Sequence, residues 1–399
     1  MGTGEWMGRT GTRFRPMTAI LEGIMCRLLA ITSNAYVSPQ TAVEGLAVMG
    51  EGYDGSGVGL LLRDLGGPFA AMADIPVLSG IFSSKGLKRL DRFMMDKGFT
   101  TKYKITFKPR RPVPPMVPKR DVYLVRAYDY PTQWEEMTNQ ERLDQLAPIR
   151  LCLRDMGEAE KDMVVFSLWP DTIMIKEVGD PAAVADYLQL DRKDLMARVV
   201  MLQGRQNTNH EIDLYACHPF FLEGFSTMTN GENTAFSQNR DFLMSRGVLG
   251  YQGYLSDSEV FTHSLHYIVG RLGLGLGCYK HGITPLSDAD MRAHPDSFFL
   301  RHLKYTCRNL ITDGPNCVIG CLPDTTLFMV QDRKKLRPGV IGSTNGTFVF
   351  SSEICGLDAI LPQRDKSKDF QPMHLDTAMV APDRQRADIL HQTAPVIAK

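Results

Sequence analysis

The chain has no surplus of either charge. In 399 residues, 45 lysines and arginines stand against 45 aspartates and glutamates, and the pI is near 7.1. A balance of this kind gives no electrostatic case for binding nucleic acid or an anionic membrane surface. The chain also lacks any run of about 18 apolar residues, the length a helix needs to cross a bilayer. Its 8 cysteines, at 26, 152, 217, 278, 307, 317, 321 and 355, are scattered. That spacing argues against a disulfide scaffold and an iron–sulfur run, and suits reduced thiols in a cytoplasm. Cys317 and Cys321 form a close pair, but no second pair or neighbouring histidine completes a zinc site. A nucleotide-binding P-loop is missing. The glycines of Gly273 to Gly277 follow a helical stretch rather than a strand, which fits a helix C-cap and a turn.

What is present begins at Cys26. Residues 1–24 carry Arg9, Arg13 and Arg15, then a short apolar piece from Met17 to Ile24 broken by Glu22. With no small-residue cleavage site they do not read as a signal peptide. A start at Met25, or a cleaved propeptide, would leave Cys26 first, so residues 1–25 are expected to be absent from the active form. An N-terminal cysteine carries its own base: the thiol is the nucleophile, and the α-amine, with a pKa of roughly 7.7 to 8.0, shuttles the proton. The plainer alternative is a small buried residue at the start of a strand.

Periodicity predicts a buried strand over Cys26 to Thr32 and a helix opened by Ser38-Pro39, with Val43, Leu46 and Met49 as its apolar stripe. Further strands are expected at Val58 to Leu62, Arg198 to Leu202, Val318 to Leu322, Leu327 to Val330, Gly339 to Ile341 and Thr347 to Ser351. Val164 to Leu168 and Thr172 to Lys176 read as a hairpin across Pro170-Asp171. Residues from about 65 to 117 look irregular, with a helical piece around Leu87 to Met95 and a proline-rich stretch from Pro109, and are taken as a surface insertion. Strands in series with helices to cover them fit a layered α/β architecture.

A second group of residues lies far downstream of the cysteine: Arg205-Gln206-Asn207-Thr208-Asn209, His218-Pro219-Phe220, Thr229-Asn230-Gly231-Glu232-Asn233 and Asn239-Arg240. Asp54-Gly55-Ser56-Gly57, Asp332 to Pro338 and Ser352-Glu353 add further pieces. Taken in order with Cys26, the set resembles the class II glutamine amidotransferases, a family of N-terminal-nucleophile hydrolases, and the likeness runs from about Met25 to Arg364. It implies a four-layer α-β-β-α sandwich over 26–364, with 365–399 as a C-terminal tail. Arg27 departs from the glycine that follows the nucleophile in large glutamate synthases.

The resemblance also implies roles. Cys26 attacks the side-chain amide of L-glutamine, and Asn230 with the backbone N–H of Gly231 receives the developing oxyanion. Arg205 holds the α-carboxylate and Asp257 the α-ammonium, with Thr208, Asn209 and Glu232 completing the pocket. Each residue has a competing local reading. Asn230-Gly231 is a hairpin-turn dipeptide, Ser256 to Glu259 spells a capping box, and Arg205 could be a solvated arginine. His218, His263 and His266 lack the spacing of a triad or metal site, and His218, beside Pro219-Phe220, reads as packing or as a residue supporting the site from behind.

With no acceptor domain on this chain, the ammonia is expected to go to another polypeptide. The nearest likeness is to the amidotransferase segment of glutamate synthase. That implies a cytoplasmic subunit without a cofactor of its own, and a partner carrying FMN and an iron–sulfur cluster. The glutaminase-like subunit of an N-methylglutamate synthase and a silent glutamine-binding subunit remain alternatives.

Overall fold

The computed structural model describes residues 26–110, 112–114, 122–207, 212–312 and 314–397. The expected leader lies outside them. Strand β1 (Arg27–Val37) opens the described chain, and its Leu28, Leu29, Ala30 and Ile31 have no solvent exposure. A stretch apolar on both faces must lie between two layers. It runs antiparallel between β8 (Ala197–Arg205) and β14 (Thr347–Ser351). Adding β2 (Gly57–Leu65), β7 (Thr172–Glu177) and β13 (Val340–Thr344) gives a six-stranded antiparallel sheet ordered β13-β14-β1-β8-β2-β7.

A second six-stranded sheet contains β9 (Phe220–Leu222), β10 (Phe225–Gly231), β11 (Asn316–Cys321), β12 (Leu327–Gln331), β15 (Thr377–Val380) and β16 (Ala387–Leu390). Its order is β16-β15-β12-β11-β10-β9, and β10 meets β1 where the sheets face each other. Helices α1 (Pro39–Ala47), α4 (Pro181–Leu188) and α10 (Ile354–Ile360) cover the first sheet. The second is covered by α6 (Glu259–Leu265), with α5 (Phe236–Ser245) and α7 (Leu276–Ile283) against it and α8 (Asp288–Ala293) and α9 (Ser297–Thr306) outside. This is the expected four-layer α-β-β-α sandwich. Local chemistry starts its helices as read: the Ser38 hydroxyl accepts from Gln40 N at 3.2 Å with Pro39 at the first helical position.

The insertion differs from expectation. It is an ordered unit of β3 (Pro76–Phe82), α2 (Ser84–Asp96), β4 (Thr100–Thr106), β5 (Val122–Asp129), α3 (Asn139–Glu160) and β6 (Met163–Pro170). Its antiparallel sheet, ordered β4-β5-β3-β6, has the split βαβ arrangement. The unit extends well past 117 and separates β2 from β7, which are neighbours in the first sheet. Prolines and an exposed, lysine-bearing edge strand β4 made this stretch read as irregular, although its pairing is long-range. The expected hairpin is corrected for the same reason. β6 belongs to the module and β7 to the sandwich. Asp171 pins the crossing, its carboxylate accepting from Asp64 N at 2.9 Å and Leu65 N at 2.7 Å.

The tail boundary at 364 is also corrected, because β15 and β16 extend the second sheet. Arg384 fastens the segment between them to the first sheet, donating to Thr32 Oγ1 at 2.8 Å and pairing with Asp64 at 2.9 Å. A chain ending at residue 371 would uncover the β12 edge, and an uncovered edge invites pairing between molecules. It should aggregate and lose a cooperative melting transition. A truncated chain that melts like the full one would return the segment to the status of an appendage.

Candidate active site

The site forms where β8 ends beside the start of β1. Pairing of Arg27 with Gly204 carries the chain leaving β8 past Cys26, so that Gln206 N donates to the Cys26 sulfur at 3.5 Å and Gln206 O lies 3.8 Å from it. Arg205 pairs with Gly57 across β2 and is 6 % exposed. Its Nη2 reaches Asn207 Oδ1 at 3.4 Å, and Nη1 is buried without a partner among the described residues. The Asp54-Gly55-Ser56-Gly57 loop frames this exit. Asp54 Oδ2 accepts from Asn207 N at 3.1 Å, Oδ1 accepts from Ser56 N at 2.9 Å, and Ser56 Oγ donates to Arg205 O at 3.3 Å.

The opposite wall comes from the second sheet. Asn230 and Gly231 end β10 and pair with Cys317 and Asn316 of β11, so the dipeptide is the end of a strand and not a hairpin turn. Asn230 is 2 % exposed, and its Nδ2 has no partner among the described residues. A Cβ at position 231 would lie 2.2 Å from Pro315 O, a backbone atom, so only glycine lets β10 approach this closely. Glu232 follows at the exposed rim.

Asp257 sits in the connection ahead of α6. Its Oδ2 accepts from Asn233 N at 3.0 Å, and Oδ1 lies 3.4 Å and 3.3 Å from the hydroxyls of Ser256 and Ser258. The capping box is not formed: Glu259 turns its carboxylate to Gln252 N at 2.7 Å and Tyr254 N at 2.6 Å. Asp257 is therefore held by serines and a loop amide rather than by a helix cap.

Cys26, Arg205, Asn230, Gly231, Glu232 and Asp257 line one cavity of about 70 Å³. Thr208 and Asn209 lie outside the described residues. The cavity also takes in Gln206, Thr229, Ser256, Ser258, Arg337 and His218. The sequence leaves His218 as packing or as a support behind the site, and the structure puts it in the cavity wall. Its Nδ1 accepts from Thr229 N at 3.0 Å, which places the ring proton on Nε2. Burial, with Lys176 and Arg205 nearby, holds its pKa well below the ordinary histidine value. The signal available in the sequence was its place two residues before Phe220, whose ring lies 4.7 Å from the imidazole.

Burial raises the Cys26 thiol above its ordinary value, although Gln206 N–H and Arg205 pull the other way. Among the described residues no group of three potential metal ligands occurs, and no helix is long and apolar enough to cross a membrane. Cys317 and Cys321 lie buried in β11, with thiols pushed up to about 12 and about 11 by burial.

No family model matches the chain. It is 24% identical over 204 residues to an uncharacterized protein of Archaeoglobus fulgidus, a match covering 51% of this chain and 53% of that protein, so the chain spans about half the length of this relative. Among solved structures, a glutamine phosphoribosylpyrophosphate amidotransferase from B. subtilis, complexed with ADP and GMP, aligns over 93% of this chain and 50% of its own at 11% identity and a TM-score of 0.44. A glutamine aminotransferase class-II domain protein from Silicibacter pomeroyi aligns over 80% of this chain and 100% of its own at 12% identity and a TM-score of 0.30.

Because the thiol is raised, a chain in which Met25 still blocks Cys26 should react with iodoacetamide along a pH curve displaced to the alkaline side of an ordinary cysteine. Only the thiolate is alkylated, so reaction is suppressed below the raised pKa and recovers above it. Peptide mapping of alkylated Cys26 across pH checks this. A curve on the acidic side would mean that Arg205 and the Gln206 amide outweigh burial.

Proposed function

We propose that the chain is the glutamine-hydrolysing component of a class II amidotransferase. The supporting observation is the convergence on one cavity of a nucleophile, two buried donors without partners among the described residues and an aspartate held in a fixed orientation. Glutamine presents a carboxylate, an ammonium and a side-chain amide, and the cavity offers a group of matching chemistry for each. The Arg205 fork suits the carboxylate and Asp257 the ammonium. The Cys26 sulfur bonds to the amide carbon, whose oxygen becomes negative and takes the Asn230 amide and the Gly231 N–H as donors. Collapse of this adduct breaks the C–N bond, and the leaving nitrogen takes the proton given up by the thiol. Water then cleaves the thioester to release glutamate and restore the thiol.

The proton needs a carrier. His218 is held neutral with Nδ1 occupied, and its depressed pKa makes it a weak base. The α-amine of Cys26, once free, titrates near neutral pH and is covalently beside the sulfur. A chain beginning at Cys26 should therefore hydrolyse glutamine, and one retaining Met25 should not. Intact mass measured beside ammonia release checks both forms.

Cys26→Ala should abolish ammonia release with the fold intact, and undiminished activity would sink the mechanism. Asn230→Ala should lower kcat by roughly 100- to 1000-fold, the usual cost of one oxyanion donor. Arg205→Lys should act mainly on KM, because a point charge replaces a fork that holds ground and transition states alike. The same kinetic pattern in both variants would refute this division of roles.

For the acceptor we favour a glutamate synthase partner bearing FMN and an iron–sulfur cluster, supported by the likeness of the Asp54 to Gly57 element to that of glutamate synthases. Glutaminase turnover should then rise when the co-purifying flavoprotein and 2-oxoglutarate are added together. A lone chain already at the full rate, indifferent to 2-oxoglutarate, would favour a free-standing amidohydrolase. Identification of N-methylglutamate synthase subunits beside it would move the assignment to that system.

A further inference from the structure

The inserted βαββαβ module touches the site through a line of hydrogen bonds. Tyr123, 3 % exposed near the start of β5, donates its hydroxyl to Oε2 of Glu177, which has no solvent exposure and ends β7. The other oxygen of that carboxylate accepts from Val178 N at 2.8 Å. One residue on, Gly179 N donates to Gly55 O at 2.8 Å. Gly55 follows Asp54, whose carboxylate holds Asn207 N and whose own N donates to Arg205 O at 3.4 Å. Asn207 Oδ1 in turn faces the Arg205 guanidinium.

A carboxylate taken wholly out of water requires fixed partners, because leaving one of its oxygens unsatisfied is costly. Here one partner, the Tyr123 hydroxyl, comes from the module, and another is the peptide N–H of Val178, which leads to Gly55. Within the sandwich alone, Glu177 would lose the hydroxyl, and the turn after β7 would lose a fixed reference for the Asp54 loop.

We propose that Glu177 and Tyr123 are positioning residues for glutamine recognition, through which the inserted module sets the Asp54 loop and hence the orientation of Arg205. The module is on this basis a working part of the glutamine pocket rather than a surface elaboration. The inference rests on the reading of the cavity as a glutamine site. It also locates the effect: Asp54 and Asn207 bear on Arg205, which grips the carboxylate, while Asn230 and Gly231 belong to the other sheet. Weakening the line should loosen substrate binding and leave the oxyanion side untouched.

The test uses the full chain beginning at Cys26. Tyr123→Phe removes one hydroxyl and keeps the ring. Its glutamine KM should rise about ten-fold, as the loss of one hydrogen bond to a buried charge would shift an equilibrium, with kcat within about two-fold of wild type. Ser167→Ala is the control for mere stability. It breaks the buried Ser79–Ser167 hydroxyl pair, 2.6 Å apart inside the same module, and leaves in place the 3.1 Å bond that Ser79 Oγ accepts from Met174 N of β7. It should lower the melting temperature without moving KM. A second readout is the glutamine concentration that half-protects Cys26 from iodoacetamide, which should rise in Tyr123→Phe in parallel with KM. Unchanged KM and protection in Tyr123→Phe, or an equal KM rise in Ser167→Ala, overturns the proposal. Wild-type chain with neither glutaminase activity nor protection by glutamine would instead overturn the glutamine reading beneath it.

Discussion

The antiparallel register between β1 and β8 is the constraint on which the site depends. Side chains alternate along a strand, so a slip of one residue would turn Arg205 to the other face and carry the Gln206 amide away from the Cys26 sulfur. The register is held by apolar pairs deep in the sheet, Leu29 with Leu202 and Ile31 with Val200, all without solvent exposure. These residues have no chemistry of their own. Their packing against two layers fixes, a few residues away, where a thiol meets a backbone amide. The Asp54 loop then inherits its place from the pairing of Gly57 with Arg205.

The second sheet must come close enough for Asn230 to face the same space, and that approach depends on a side chain being absent. A Cβ at Gly59 of β2 would fall 1.6 Å from His218 O, so β2 and the connection into β9 lie nearly in backbone contact. No flexible neighbour could yield there, since the obstructing atom is main chain. The inter-sheet spacing at the site thus depends on Gly59, which lies inside the strand expected at Val58 to Leu62. The same contact seats the His218 backbone against β2, while the Thr229 amide orients its imidazole, which lines the cavity.

The parts legible in the sequence were those carried by a short local pattern or by the motifs on which the resemblance rests. Ser38-Pro39 opened its helix, Thr347 to Ser351 formed its strand, and Cys26, Arg205, Asn230 and Asp257 came together from separate stretches. The parts missed were settled by distant partners. Thr172 to Glu177 follows Pro170 closely in sequence, but its neighbour is β2, across the whole inserted module, and no local pattern shows that pairing. Thr377 to Val380 is too short to identify as a strand until β12 offers it an edge. At Ser256 to Glu259 the motif was present, but the carboxylate was drawn away by two backbone amides from the loop at Gln252 and Tyr254, which local spacing cannot reveal.

The electrostatics of the cavity separate two tasks that one residue often combines. Burial makes the Cys26 thiol reluctant to ionise, while burial and nearby cations make His218 reluctant to accept a proton. Neither shift favours a thiolate–imidazolium pair of the kind that activates many cysteine enzymes, and the Thr229 amide occupies the imidazole nitrogen that would have to orient it. Lys176, fully buried and lowered to about 8, is committed to the carbonyls of Tyr215 and Cys217 behind the wall, so it does not supply the base either. In the proposed reaction the proton carrier must therefore be introduced by covalent chemistry rather than by folding. On that proposal, as long as a peptide bond precedes Cys26 its nitrogen has no basic lone pair, and the cavity would hold glutamine without hydrolysing it. Exposure of that nitrogen would then separate a catalytic subunit from a silent one, with the fold unchanged between them.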